Sequence, residues 1–99
     1  MPDYTIPTAD GDDWPPLPVG PAAALQPTSL PCEVLEEDGD LAFRVGGATV
    51  SASWELAGTW YVTVEDAASS AAADALVAEM ASRLGEAAGK RAVHHRISD

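Results

Sequence analysis

The chain has 99 residues, 16 acidic and 5 basic, giving a formal net charge of −11, and it contains a single cysteine. That charge disfavours direct contact with phosphate backbones and anionic membrane surfaces. The lone Cys32 excludes an internal disulfide and any multi-cysteine zinc site.

All 8 prolines fall within residues 1–31. This segment carries Asp3, Asp10, Asp12 and Asp13, no basic residue, and the run Trp14-Pro-Pro-Leu-Pro18. Proline lacks a backbone donor and holds its predecessor extended. Residues 1–31 are therefore expected to form an extended, acidic, proline-rich arm with polyproline II character. Tyr4, Ile6, Trp14, Leu17 and Val19 are too apolar for a mere solubiliser, so the arm is expected to dock on a partner. The foldable part is then residues 32–99. A body of this size buries only about 60% of its unfolded surface, so its stability is expected to be marginal.

Cys32–Glu37 reads as a short strand. Asp38-Gly39 suits a two-residue hairpin turn, which pairs Val34 with Phe43 and Cys32 with Val45. Asp40–Val45 follows with Leu41, Phe43 and Val45 on one face. Gly46-Gly47 suits a second two-residue turn, pairing Phe43 with Val50 and Leu41 with Ala52. Residues 49–56 and 59–65 then alternate apolar and polar with the period of a strand. A three-residue loop, Leu56-Ala57-Gly58, pairs Trp54 with Trp60 and keeps both apolar sets on one face. Such a loop favours a left-handed residue at its last position, and Gly58 provides one. A one-residue slip would turn one apolar set toward water. The outer face of these strands is rich in hydroxyls: Thr49, Ser51, Ser53, Thr59, Tyr61 and Thr63. It reads as a solvated face or as a flat binding surface with Tyr61 as its contact.

From Ser70 to Ala88 the period becomes helical. Ala73, Leu76, Val77, Met80, Leu84 and Ala88 form one stripe, Ser69 or Ser70 can cap its start, and Gly85 or Gly89 can end it. Residues 90–99 hold Lys90, Arg91, His94, His95 and Arg96, in contrast to a segment 1–43 without Lys or Arg. Val93, His95 and Ile97 alternate, which suits a short last strand. This basic tail can fold onto the Glu36-Glu37-Asp38 end of the sheet, onto the arm, or onto an acidic patch of a neighbouring copy.

The expected fold is α+β. A four-stranded antiparallel meander packs against one C-terminal helix over residues 32–89, with the arm 1–31 before it and the tail 90–99 after it. No spacing supports a metal, a cofactor or a catalytic residue. His94 and His95 are adjacent and diverge on a strand, and the acidic runs lack the twelve-residue calcium pattern. No long apolar run and no basic-then-apolar leader is visible, so the expected location is the cytoplasm or the inside of a virion or similar particle. The expected function is non-enzymatic: a structural or assembly protein, such as a component of a virion or phage-like particle, that binds other proteins through its arm. The expected partners are copies of itself or sibling particle proteins, with no direct nucleic acid, membrane or small-molecule substrate. The alternative is a small acidic inhibitor or immunity-type protein, or nucleic-acid mimic, capping a basic partner.

Overall fold

The computed structural model describes residues 2–11, 14, 25, 32–36, 40–55 and 59–98. Six strands are present: β1 (Asp3–Ile6), β2 (Cys32–Glu36), β3 (Leu41–Val45), β4 (Ala48–Glu55), β5 (Thr59–Glu65) and β6 (His95–Ser98). One long helix, α1 (Ser70–Ala88), lies between β5 and β6 in sequence. The strands form one antiparallel sheet in the order β2-β3-β4-β5-β1-β6.

The expected meander is β2 to β5, in the expected register. Cys32 pairs with Val45, Val34 with Phe43, Phe43 with Val50, Leu41 with Ala52, and Trp54 with Trp60. Gly46 and Gly47 have φ of 54° and 95°. Positive φ at both central residues is what a tight hairpin turn of this kind requires, and the turn closes on the Val45–Ala48 pair. Gly47→Val is therefore expected to cost about 1–2 kcal/mol, read as a lower urea midpoint at unchanged slope. An unchanged midpoint would contradict it. One pairing differs from expectation. A two-residue Asp38-Gly39 turn would set Glu36 opposite Leu41, but Glu36 pairs with Ala42, with a register shift after Val34. Residues 37–39 and the loop 56–58, including Gly58, lie outside the described residues.

The sheet has six strands rather than four, because both ends of the chain join it. β1 runs antiparallel between β5 and β6, with Tyr4 opposite Val62, Ile6 opposite Trp60, and Thr5 opposite His95. Asp3–Ile6 is therefore not part of a free arm, and His95–Ser98 is the short last strand that the alternation of Val93, His95 and Ile97 suits. The physical reason lies in the alternation of Asp3, Tyr4, Thr5 and Ile6. It presents two large apolar side chains to the core and two polar ones to the opposite face, and the strand ends at Pro7, which has no N–H to donate. The pairing continues past that proline. Val93 N–H donates to Pro7 O at 3.1 Å, and Ala9 N–H donates to Arg91 O at 2.8 Å.

α1 starts at Ser69, whose side chain accepts from the Ala72 N–H, and it ends at Gly89 with φ 69°. Gly89 and Lys90 both donate backbone N–H groups to Gly85 O, which satisfies a carbonyl that the helix end would orphan. Gly85 is required here for a second reason. A Cβ on it would sit 2.6 Å from the Lys90 carbonyl oxygen, so the returning chain crosses too closely for any side chain. The helix buries Ala73, Leu76, Val77, Met80, Ala81 and Leu84. These form one core cluster with Tyr4, Ile6, Phe43, Val45, Val50, Trp60, Val62 and Val64. Trp14 and Leu25 belong to the same cluster, so parts of the segment 1–31 complete the core of the body it precedes.

Candidate functional site

Two features could carry function: a polar cluster where β1, α1 and β6 meet, and the two outer edges of the sheet.

The cluster grows from Tyr4. Its ring is fully buried in the core, and its hydroxyl donates to Asp74 Oδ1 at 2.6 Å. Arg96 Nη2 donates to the same oxygen at 2.7 Å and to Ser70 O at 3.3 Å. The Arg96 guanidinium lies 5.9 Å from the centre of the Tyr4 ring, a cation–π distance. The His94 ring lies 6.5 Å from that of Tyr4, tilted by 55°. Burial is the first cause that raises the Tyr4 hydroxyl above its ordinary pKa, followed by its bond to Asp74. The Asp74 carboxyl is held below the ordinary value, chiefly by the Tyr4 hydroxyl and then by Arg96. Asp74 and Arg96 are both partly exposed. Chemically the arrangement is a clasp that joins the first strand, the helix and the last strand.

The signs of these shifts give a pH dependence. The lowered Asp74 contributes stability above its unfolded pKa, which is lost as pH falls through the folded one. The raised Tyr4 contributes stability that is complete below about 10 and is lost as pH rises through the folded value. Tyr4→Phe keeps the ring in the core and removes the shared hydrogen bond. It is expected to cost about 1 kcal/mol at neutral pH and to flatten the alkaline fall in stability. Urea titrations across pH check this, and superimposable pH profiles for the two proteins would contradict it.

The edges differ from each other in charge. β2 has the sequence Cys-Glu-Val-Leu-Glu and β6 has His-Arg-Ile-Ser. Among the described residues neither has a strand on its outer side. Among the described residues the exposed large hydrophobics are Leu35, at 41%, and Ile97, at 53%. One lies on each edge strand, next to a register shift in the pairing.

The structure places the sequence-derived contact residues differently from expectation. Tyr4 and Ile6 are completely buried and Trp14 is 8% exposed, so all three serve the chain's own core and cannot anchor a partner. Trp14 Nε1 donates to Ile6 O at 2.9 Å, which fixes it to the end of β1. Leu17 and Val19 lie outside the described residues. Tyr61 is half-buried in the middle of the sheet, opposite Ser53 and Thr5. On that same face Thr63 Oγ1 donates to Asp3 Oδ1 at 2.9 Å. The tail folds onto the start of the chain, where Lys90 Nζ is 3.5 Å from Asp10. Cys32 forms no disulfide and packs beside the core.

A surface hollow of about 380 Å³ lies beside the C-terminal half of α1, lined by residues that include Ser82, Glu86, Lys90, Arg91 and His94. Among the described residues no three His, Cys, Asp or Glu side chains converge as metal ligands, and no helix is long and apolar enough to cross a membrane. The class that these features define is an α+β domain with one helix on an antiparallel sheet of six strands. No family model, curated protein or solved structure matches the chain.

Proposed function

We propose that this chain is a non-enzymatic assembly protein that binds other proteins through the edges of its sheet, rather than through the arm that the sequence suggested. The observation that carries this reading is the position of Leu35 and Ile97. A sheet edge offers a row of unpaired backbone donors and acceptors, and strand addition to such an edge is a common mode of protein recognition. Edge strands that avoid partners usually carry charge or proline at their exposed positions. Here each edge exposes a large aliphatic side chain beside its charged residues, Glu33 on β2 and Arg96 on β6. A building piece of a larger particle, of the virion or phage-like kind, suits a protein with two such edges.

The test is purification at moderate salt, alone and co-expressed with the products of neighbouring genes. The expected result is a complex well above the 10.2 kDa of one chain, reduced to the monomer by the double substitution Leu35→Lys, Ile97→Lys. A monomer under all these conditions would overturn the reading. The net charge of −11 supports a second reading, an acidic inhibitor that caps a basic partner. That protein would be a monomer whose complex weakens steeply with salt and is unaffected by the edge substitutions.

A further inference from the structure

We propose that residues 91–98 are a displaceable strap over a docking edge on β1, and that this edge takes an extended, arginine-bearing strand of another protein in their place. The edge in question lies beneath β6, so it is a different surface from the two edges that stand exposed.

Hydrophobic burial, the dominant favourable contribution to folding, holds β1 and hardly touches β6. β1 buries Tyr4 and Ile6 completely. His95, Arg96 and Ile97 are all exposed, and none of them belongs to the core cluster. Of the strap, only Ala92 packs against that cluster, and it is itself only partly buried. What secures β6 is polar: its ladder to β1, and the Arg96 guanidinium on Asp74 Oδ1 and Ser70 O. Asp74 and Arg96 are partly exposed, so water and salt weaken their attraction. A segment with few apolar contacts and exposed bonds opens locally while the rest stays folded.

The ladder shows what such an opening uncovers. Val64 N–H donates to Pro2 O, and on the other side Val93 N–H donates to Pro7 O and Ala9 N–H to Arg91 O. Hydrogen-bonded pairs alternate along an antiparallel strand. Tyr4 and Ile6 therefore bond to β5, whereas Thr5 bonds to His95 on β6. Lifting the strap leaves β1 in the sheet and opens a row of backbone groups at Thr5, Pro7 and Ala9. That row is an edge of the kind that a strand from another protein completes.

Charge defines the partner. Residues 89–98 hold Lys90, Arg91, His94, His95 and Arg96 and no acid, in a chain with 16 acidic and 5 basic residues. The surface under them offers the opposite: the Asp74 carboxylate, the Ser70 carbonyl and the Tyr4 ring all face one guanidinium. The present occupant thus shows what the edge selects. It takes an arginine at the position of Arg96 and a small side chain at that of Ala92, which passes close over Gly85. The strap is the chain's own stand-in for a basic partner strand.

The experiment is amide hydrogen exchange, resolved by residue, on the full chain and on full-length Arg96→Glu, with circular dichroism to follow folding. In wild type, Thr5, Ala9 and Val93 are expected to exchange faster than Tyr4 and Ile6, through an opening that low denaturant scarcely changes. Arg96→Glu sets two carboxylates against each other. Exchange at Thr5, Ala9 and Val93 is then expected to rise by about tenfold, with Tyr4 and Ile6 still protected and the melt still cooperative. A synthetic peptide of residues 90–98, added to this variant, is expected to restore protection at Thr5 and Ala9. The same peptide carrying Arg96→Glu is expected to leave them unprotected. The proposal is overturned if Thr5 in wild type exchanges only together with Tyr4 and Ile6, or if Arg96→Glu unfolds the chain as a whole. It is equally overturned if the first peptide gives no protection or if the two peptides act alike. None of these results alters Leu35 or Ile97, so the assembly reading stands or falls separately, on its own double substitution.

Discussion

Deletion of residues 2–11 is expected to unfold the protein rather than to release a folded body. β1 is an interior strand, flanked by β5 on one side and β6 on the other. Its removal takes Tyr4 and Ile6, both at 0% exposure, out of the core. Each such side chain contributes about 1.5–3 kcal/mol by burial. The deletion also takes from β6 the strand it pairs with, from Asp74 the Tyr4 hydroxyl, and from the Trp14 indole its acceptor at Ile6. A small domain has about 5–15 kcal/mol in total, and this one belongs near the lower end. Loss of cooperative thermal unfolding by circular dichroism is the expected readout. A truncated chain that still melts cooperatively would show that β2–β5 and α1 suffice. A sequence-level reading of a docking arm leads to the opposite expectation, that the body survives and only assembly is lost.

Trp60→Ala is expected to cost about 3–5 kcal/mol. Trp60 lies between Trp54 on β4 and Ile6 on β1, and its side chain is almost fully buried in the core cluster. Truncation to alanine leaves a cavity at the junction between the meander and the strand added from the N-terminus. Denaturant titration is expected to show a large fall in the midpoint or no folded baseline. A variant as stable as wild type would mean that Trp60 packs outside the core. The side chain of Trp54 lies outside what the structure describes, so the effect is assigned to Trp60 alone.

The meander was legible because its signals are local. Gly46-Gly47 fixes one turn, alternation fixes the Trp54–Trp60 register, and both point the same apolar residues the same way. The helix was legible for the same reason, from the stripe Ala73, Leu76, Val77, Met80 and Leu84 and from the Ser69 cap. β1 was not. Four alternating residues followed by Pro7 look like an extended arm, and the strands that make them part of a sheet lie nearly a whole chain away. The alternation of Tyr4 and Ile6 against Asp3 and Thr5 was a usable signal, matched by that of Val93, His95 and Ile97. The Tyr4–Asp74–Arg96 clasp was hidden for a related reason. It needs three elements placed at once, and nothing in the spacing of a tyrosine, an aspartate and an arginine announces that they share an oxygen. The edges became candidates only when the strand order showed which strands are outermost.

The position of β1 has a consequence for synthesis. A ribosome delivers Asp3–Ile6 before the other described strands, β5 much later and β6 after α1. Until then Tyr4 and Ile6 have no strand to pair with, while the hairpins of the meander can close as soon as each is made. Pairing across such sequence separations is intrinsically slow. β1 is thus made before the meander strands but secured after them. Proteolysis of stalled chains that end before residue 90 is expected to cut near Tyr4, and protection there at that length would contradict this order. A cell that makes this protein must keep β1 from finding the wrong sheet until β5 and β6 have followed it.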